Sequence, residues 1–518
     1  MSGSVRGLDL DSSKGVCFML TVLVRCGRRK MAVLLGLWML ANGALPADEP
    51  VDVGARRELM IDSALTERLS GEASLRLQHP EKREIALIHD SDWEGTVAGY
   101  HTVFRDGDLF RMYYIAAPAI SADGSRFTGE PFHIGYAESR DGKSWVRPKL
   151  GLYEYKGSKA NNIVWEAPGL DNLHVFRDTN PDCRPGESYK GLTSGPGGLF
   201  GLKSPDGIHW SRLQEKPLIT KGAFDTHNVS FWDPLRKQYW AYIRDFHDGI
   251  RDIRVATSSD YLTWTDPVTL RYNDVPDEPL YTNSVVPYWR APHIFVGFPT
   301  RYSERPNSPI LAQLPDWTHR QNRMKIHPRI GTAVTDGLFM TSRDGRTFFR
   351  WGEAFYKPGI ERVHNWLYGD YYQNQGLIET ASDDPDSPPE MSMFVLEDYW
   401  KKPTRLRRVA LRIDGFVALH APLAGGELVT KPIRFRGKAL SLNYSTSGAG
   451  SLFVELQDAD GKPLPGFALG DCYEHFGDTL DRRVMWQHGT DLSALAGQPI
   501  RLRFVLKDAD LFSWKFEE

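Results

Sequence analysis

A short turn motif occurs four times in the chain and limits the folds that the chain can adopt. The pattern Ser-x-Asp-x-x-x-Trp begins at Ser139, Ser204 and Ser258, and a fourth copy, beginning at Ser342, ends in Phe348 instead of Trp. Each copy follows a strand-like run, and successive copies begin 65, 54 and 84 residues apart. In such a turn the Ser and Asp side chains cap backbone N–H groups and the aromatic residue returns to the core. This spacing suits one four-stranded blade per copy, which predicts a β-propeller.

The strand pattern of the whole chain predicts an all-β fold. Short alternating runs rich in Tyr, Phe, Val and Ile are separated by Gly, Pro and Asp turns, and helical periodicity is scarce. Counting these units predicts five blades, near residues 90–150, 160–215, 222–275, 280–352 and 366–418, the last built from 373–380, 391–397, 405–413 and 416–419. We therefore expect a five-bladed β-propeller at residues 48–420, followed by a C-terminal β-sandwich at residues 421–518. The aspartates of the repeated turns are predicted to be structural: Asp141, Asp206, Asp260 and Asp344.

The N-terminal segment has the order of features typical of a secretory signal peptide. Basic residues at 28–30 precede an apolar run from Met31 to Leu45 and a small-residue site that ends at Ala47. We expect residues 1–47 to be removed on export, with Met31 as an alternative start, so that the mature protein is secreted or periplasmic in a bacterium. The apolar run is short for a membrane span, which needs about 20 residues. The mature chain then keeps Cys183 and Cys472, which form either one disulfide or two free thiols.

Charge and motif content exclude several classes of function. The formal net charge is −3, without the basic footprint of a nucleic-acid-binding protein. The sequence has no phosphate-binding glycine loop, no His-Glu-x-x-His and no Gly-x-Ser-x-Gly. No Cys/His spacing is typical of a zinc site. We therefore expect no cofactor and no bound metal, and the oligomeric state stays open.

Polar residues gather where the inner strands of the predicted blades begin. These strands converge on the propeller axis, so residues at their first positions meet in one funnel. Acids, amides and aromatics together suit a carbohydrate, because carboxylates act as acid, base or nucleophile while Asn, Gln and His bind hydroxyls and aromatic rings stack on sugars. The candidate catalytic residues are Glu94, Asp225, Asp178 and Asp336. The candidate substrate-binding residues are Trp93, Tyr100, His101, His174, His227, Asn228, Asn283, Trp366 and Gln373.

Each candidate acid also has a structural interpretation. Asp178 could cap the turn before Pro181. Asp336 could pair with Arg343 or another cation, and the other two acids could make loop hydrogen bonds. These alternatives are decided by which acids share one pocket.

Several segments resemble secreted propeller glycoside hydrolases of families 32, 43 and 68, and most closely a group of exported bacterial proteins, common in planctomycetes, that are described as glycosyl hydrolase family 32 N-terminal-domain-like. The segments are Trp93-Glu-Gly, Arg105-Asp-Gly-Asp, Asp178-Thr-Asn-Pro181, Ala223-Phe-Asp, Tyr281-Thr-Asn, Thr335-Asp-Gly and Leu506-Lys-Asp-Ala-Asp510. Family 32's first-blade Asn-Asp-Pro-Asn-Gly and its Glu-Cys acid motif are absent, and only Arg177-Asp178 matches part of its Arg-Asp-Pro. The resemblance implies a five-bladed propeller hydrolase, but not an invertase-like specificity or catalytic set.

The leading hypothesis is a secreted glycoside hydrolase that acts on an oligo- or polysaccharide. Glu94 and Asp225 are its predicted acid–base pair, and Asp178 or Asp336 is the predicted orienting carboxylate.

Three alternatives remain from the sequence. One is a non-catalytic carbohydrate-binding propeller, in which amides and aromatics suffice. Another is a sialidase, which needs an arginine triad at the funnel, where only Arg177 is well placed by sequence. The third is a polysaccharide lyase that uses Tyr100, His101 and His227.

Overall fold

The computed structural model describes residues 49–166 and 171–518. The predicted signal segment, residues 1–47, lies outside the described residues. The described chain begins with four short strands: β1 (Val51–Gly54), β2 (Glu58–Leu59), β3 (Thr66–Gly71) and β4 (Ser74–Leu77). They are followed by β5 (Glu81–His89), which belongs to the last blade of the propeller.

Three regular four-stranded antiparallel sheets come next along the chain. Blade 1 contains β6 (Val97–Asp106), β7 (Leu109–Ala117), β8 (His133–Ser139) and β9 (Ile163–Trp165). Blade 2 contains β10 (Asp171–Arg177), β11 (Tyr189–Gly195), β12 (Gly198–Ser204) and β13 (Ser211–Arg212). Blade 3 contains β14 (Val229–Asp233), β15 (Gln238–His247), β16 (Ile250–Ser258) and β17 (Val268–Thr269). Their middle strands are rich in aromatic and β-branched residues because neighbouring blades cover both faces.

Blade 4 carries an insertion that contains the two α-helices of the described chain. Its sheet contains β18 (Arg271–Tyr272), β19 (Val286–Tyr288), β20 (Ala291–Gly297), β23 (Met340–Ser342) and β24 (Thr347–Arg350). Between β20 and β23 come β21 (Thr300–Glu304), α1 (Trp317–Ile326), α2 (Pro328–Thr332) and β22 (Ala333–Gly337), where β21 pairs with β22. Within the described residues, three single-turn 3-10 helices lie at Leu311–Gln313, Leu469–Asp471 and Ser493–Leu495.

Blade 5 closes the ring with a strand from the beginning of the described chain. It contains β25 (Ile378–Thr380), β26 (Glu390–Glu397), β27 (Thr404–Arg412) and β5, which pairs antiparallel with β27. The all-β, five-bladed prediction is therefore confirmed. The predicted fourth strand of this blade, 416–419, differs: it belongs to β28 (Val417–Ala421), which pairs with the C-terminal region.

The C-terminal region is built around two long strands, β31 (Ala439–Asp458) and β33 (Ile500–Glu517), which pair along their lengths. The remaining strands are β29 (Gly426–Thr430), β30 (Ile433–Phe435) and β32 (Asp478–Arg483). The first half of β33 also pairs with β29, and its second half pairs with β28 and β2, so each half has different neighbours. Strands β1 to β4 join this network, which places residues 51–77 with the C-terminal region and not with the propeller as the predicted boundary has it.

The repeated turns have the predicted hydrogen bonds. In the first copy Gly142 N–H donates to Ser139 Oγ at 2.9 Å, and the N–H groups of Lys143 and Ser144 donate to Asp141 Oδ1 at 2.8 and 2.7 Å. The same bonds recur at Asp206, Asp260 and Asp344. The structural assignment of these aspartates is confirmed.

Two points about the described residues complete the fold. Cys183 and Cys472 are free thiols. Across residues 49–166 and 171–518, no helix is long and apolar enough to cross a bilayer.

Candidate active site

A cavity lies where the inner strands of the blades begin, and we call it the funnel cavity. Its volume is 320 Å³, at the lower end of the range of about 300–1,000 Å³ typical of small-molecule sites. All five blades contribute to it. Its lining includes Tyr100, Asn172, Asp225, Tyr281, Tyr368, Tyr399 and Trp400, with Phe127, Glu130 and Phe132 from the loop between β7 and β8.

Two strand irregularities turn side chains into the funnel cavity. The pairing of β6 shifts between Gly99 and Thr102, and Tyr100 there has a left-handed φ of 49°. The pairing of β10 shifts in the same way, and Asn172 has a φ of 54°. Bulges of this kind redirect side chains, and left-handed non-glycine residues are enriched at functional sites.

Tyrosines form one wall of the cavity. The lining residues Tyr281 and Tyr399 both pack on the buried Tyr372, with ring centroids 5.3 and 5.4 Å away. The Tyr368 hydroxyl donates to the Tyr281 hydroxyl at 3.3 Å. This wall offers aromatic faces together with hydroxyl groups, the combination that binds sugar rings.

Asp225 is the carboxylate at the cavity rim. Its side chain is 78% exposed and forms an ion pair with Arg244, whose side chain is 4% exposed. The Arg244 guanidinium lies 5.2 Å from the ring centroid of Tyr281. Burial raises the pKa of Tyr281. The charge of Arg244, the hydrogen bonds with Tyr368 and Tyr100, and the charge of Arg251 outweigh burial, so this pKa lies below the ordinary tyrosine value. The rim therefore combines a carboxylate with a polarised phenol.

Helix α1 binds the backbone of the loops that carry the tyrosine wall. Its buried Arg323 donates to the carbonyls of Tyr368, at 3.0 Å, and Tyr399, and Arg320 donates to the carbonyl of Trp366. Asp370 accepts from the Tyr399 N–H at 3.1 Å. Burial raises the pKa of Asp370 to about 7 despite the nearby Arg323. The helix thus positions two cavity-lining tyrosines through their backbone.

Glu94 is buried outside the funnel cavity in a network that occupies both of its oxygens. Oε1 accepts from Tyr114 Oη at 2.7 Å and contacts His89 Nδ1 at 3.0 Å, while Oε2 accepts from Ser91 N–H at 3.0 Å and from Arg147. Burial raises the pKa of Glu94. The contacts with His89, Arg147 and the Tyr114 hydroxyl outweigh burial and lower the pKa of Glu94 to about 2. A group held ionised in this way is a poor proton donor.

The other two candidate acids also form ion pairs, and neither of them lines the funnel cavity. Asp178 pairs with Lys190 and accepts from Tyr239 Oη at 2.8 Å. Asp336 accepts hydrogen bonds from Nε and Nη2 of Arg301, at 2.9 and 2.6 Å, and does not pair with Arg343. The structure therefore does not bring the four predicted carboxylates into one pocket; of the four, only Asp225 lines the funnel cavity.

Four of the predicted substrate-binding residues make local structural bonds. The indoles of Trp93 and Trp366 donate to Asn162 Oδ1 and to the Gly359 carbonyl. The amide of Asn228 donates to the carbonyls of its own loop, and the amide of Asn283 donates to the Tyr242 carbonyl at 3.1 Å. None of them lines the funnel cavity, whereas Tyr100 does.

The remaining four predicted binding residues are buried and do not line the funnel cavity. His101 contacts His89 with ring nitrogens 3.0 Å apart, and His227 contacts the Thr102 hydroxyl at 3.2 Å. Burial lowers the pKa of His101, His174 and His227, the last to about 3. Gln373 donates to the Leu338 carbonyl at 2.9 Å. Within the described residues, no three His, Cys, Asp or Glu side chains converge closely enough to hold a metal ion.

A larger cavity of 880 Å³ lies where the inner strands end. Its lining combines apolar side chains, such as Phe104, Phe176 and Phe231, with polar and charged ones, among them Arg105, Arg177 and Glu379. The carboxylate of Asp178, the one predicted catalytic residue there, has no exposed side-chain area. Of the predicted catalytic acids that line these two cavities, only Asp225 in the funnel cavity therefore has an exposed carboxylate.

Sequence reasoning missed most of the aromatic wall. Tyr368, Tyr399 and Trp400 come from loops of blade 5, and Glu130 comes from the loop between β7 and β8, none at the beginning of an inner strand. Tyr281 precedes the inner strand of blade 4, and that position could have identified it. The loop residues carry no comparable signal.

Comparison with known proteins shows similarity only at the level of solved structures. No family model matches the chain and no curated protein matches it, so the resemblance to family 32 stays a prediction. A glycosyl hydrolase from Bacteroides ovatus is similar at 12% identity, covering 64% of this chain and 93% of its own, with a TM-score of 0.41. The catalytic domain of the Coprinopsis cinerea GH62 α-L-arabinofuranosidase is similar at 10% identity, covering 64% and 97%, with a TM-score of 0.41. An N-acetylgalactosamine deacetylase from F. plautii, in complex with blood group B trisaccharide, has 12% identity, coverage of 66% and 96%, and the same TM-score. At such low identity the chemistry of this chain has to be argued from its own residues.

Proposed function

We propose that the chain is a glycoside hydrolase that binds a sugar in the funnel cavity, with Asp225 as one catalytic carboxylate. The observation that carries this proposal is the position of Asp225 at the rim of a cavity lined by Tyr100, Tyr281 and Trp400. Aromatic faces position a sugar ring, and a carboxylate beside the ring can act on its anomeric carbon or activate a water.

Hydrolysis of a glycosidic bond requires a second carboxyl group. Glu130 is the only other acidic residue among the described residues that line the funnel cavity. Asp225, ion-paired with Arg244, takes the role of base or nucleophile, and the exposed Glu130 takes the role of proton donor. Glu94 is not proposed as the donor because its oxygens are occupied.

The test is the release of reducing ends from a panel of polysaccharides by the unmodified protein and by variants. Asp225→Asn and Glu130→Gln should each lower the rate about a hundredfold or more. Asp266→Asn is a matched control, because Asp266 is also 78% exposed and ion-paired, to Lys221. Full activity in Asp225→Asn would contradict the proposal.

The non-catalytic alternative has a distinct outcome. If sugars bind to the unmodified protein and no product forms from any glycan, while Asp225→Asn binds equally well, the chain is a carbohydrate-binding propeller. Aromatic stacking and amide hydrogen bonds would then suffice for its function.

We also propose that the protein is exported, on the strength of the basic, apolar and small-residue order at residues 28–47. N-terminal sequencing of the protein recovered outside the cytoplasm should begin near Asp48. A mature chain that retains residues 31–47 would contradict cleavage.

A further inference from the structure

An arginine without an acidic partner lies beside the funnel cavity. Arg251, on β16, packs its guanidinium over the ring of Tyr302, at 4.9 Å from the centroid, and over Tyr281, at 5.7 Å. Tyr281 lines the cavity. Arg251 Nε is buried without a hydrogen-bond partner, and among the residues described the side chain makes no ion pair. Contacts with aromatic rings offset part of the cost of holding this charge, but they leave its N–H donors free.

Four acids on the neighbouring strands and loop are engaged by other side chains, and Glu304 accepts from the Tyr302 hydroxyl at 2.9 Å. Asp245 pairs with Arg254. Asp252 binds Tyr272 and His247, and His247 also pairs with Asp277. Glu278 pairs with Arg301 and Arg350. Since a partly buried cation is unfavourable without a counter-charge, an anion from outside the chain is the natural partner for Arg251.

A second arginine strengthens the positive charge at the same place. Arg329, on α2, lies 5.9 Å from the ring centroid of Tyr302 and donates to its hydroxyl at 3.5 Å. It forms no ion pair with any described residue, while the exposed Glu304 accepts from the same tyrosine. Arg244, nearby over Tyr281, is compensated by Asp225. Two guanidinium groups without an ion pair among the described residues therefore meet at Tyr302, just behind the lining residue Tyr281.

We infer that the sugar bound in the funnel cavity carries an anionic group, a carboxylate or a sulfate, and that Arg251 binds this group. The inference rests on the proposed function, since it names the substrate class of the same site. A guanidinium presents paired N–H donors that match the oxygens of a carboxylate or a sulfate, and such charge-assisted bonds are stronger than those to a neutral hydroxyl. An acidic sugar therefore gains an interaction that its neutral counterpart lacks.

The experiment compares sugars that differ at one position. Binding of glucuronic acid, galacturonic acid and glucose 6-sulfate to the full chain is measured beside glucose and galactose. At least one acidic sugar should bind about tenfold or more tightly than its neutral counterpart, as expected for charged hydrogen bonds. If a uronic acid binds more tightly than the sulfated sugar, the anion is a carboxylate. If the sulfated sugar binds more tightly, the anion is a sulfate.

Two variants assign the effect to Arg251. Arg251→Gln should abolish the preference for the acidic sugar without weakening the binding of the neutral one, and Arg251→Lys, which keeps the charge, should restore part of the preference. Arg254→Gln is the matched control, because Arg254 lies on the same strand and pairs with Asp245 at 2.9 Å. Thermal melting checks that each variant is folded.

The outcomes separate this inference from the proposed function. If neutral sugars bind as well as acidic ones, or if Arg251→Gln keeps the preference, the inference is overturned while the hydrolase proposal stands. If no sugar binds and no glycan is cleaved, both are overturned.

Discussion

Glu94 and Asp225, which the sequence predicts as a catalytic pair, lie in opposite environments. Asp225 is exposed at the funnel cavity and Glu94 has no exposed side-chain area. Three neighbours, His89, Arg147 and Tyr114, consume the hydrogen-bonding capacity of Glu94. Because environment decides whether a carboxyl can exchange protons, Glu94 is better explained as the centre of a structural network.

Replacing Glu94 by Gln should therefore reduce stability. The change removes the buried counter-charge of Arg147 and alters the contact with His89, and we expect the free energy of unfolding to fall by about 3 kcal/mol. The pKa of about 2 adds a pH signature. Since this pKa is below the ordinary value of 4.5, the contribution of Glu94 is present above pH 4.5 and is lost as pH falls toward 2.

Chemical denaturation from pH 2 to pH 7 measures this effect. Glu130→Gln, on the exposed loop, should change the stability by less than about 0.5 kcal/mol and serves as the control. Equal stability of Glu94→Gln and the unmodified protein at neutral pH would show that the network is not structural.

Part of the site could be predicted from the sequence, and the reason differs between residues. Asp225 and Tyr100 stand at the beginning of inner strands, so the propeller pattern alone directs them to the funnel. Arg244 and Arg251 lie on the second and third strands of blade 3 and reach Tyr281 of blade 4 through space. Such contacts depend on how blades pack, which no local pattern encodes.

Helix α1 supports the aromatic wall, although the chain's scarce helical periodicity does not predict it. It contains strong helix formers but a mixed hydrophobic pattern, and its Arg320 and Arg323 are buried to bind loop carbonyls. The place of strand β5 in blade 5 is equally hard to predict from the sequence, because its partner β27 lies more than three hundred residues later in the chain. Local patterns predict the existence of elements better than such distant partners.

The buried Asp370 beside α1 should make stability depend on pH. Its pKa of about 7 in the fold is above the ordinary value of 3.8, so the unfolded chain gives up the proton first. The contribution of Asp370 is present below pH 4 and falls by about 1.4 kcal/mol per pH unit as pH rises toward 7. Asp370→Asn keeps an oxygen for the Tyr399 N–H and removes this slope.

The measurement is the difference in the free energy of unfolding between Asp370→Asn and the unmodified protein. This difference should grow in favour of the variant from pH 4 to pH 7, whereas Asp266→Asn should show no such trend. Parallel pH curves for Asp370→Asn and the unmodified protein would contradict the assignment.

The molecule as a whole is closed by pairing between distant parts of its chain. Strand β5 completes blade 5, and β1 to β4 pair with the C-terminal strands. Closing a ring in this way protects the sheet edges that an open propeller would expose. The funnel cavity depends on the closure because its lining comes from all five blades.

Removing the closing strands should therefore disrupt the whole fold. A chain that starts at residue 91 lacks β1 to β5, and we expect it to lose cooperative thermal unfolding and to be cut rapidly by protease. A chain that starts at residue 49 keeps every described strand and should behave like the full protein. Equal protease resistance of the two shortened chains would show that closure is not needed.

The central claim is that a sugar binds in the funnel cavity, and a crystal structure of Asp225→Asn soaked with an oligosaccharide tests it most directly. The account predicts a sugar ring against Tyr100, Tyr281 or Trp400, with its glycosidic oxygen between residue 225 and Glu130. A sugar bound in the cavity at the other end of the axis, with the funnel cavity empty, would contradict the account.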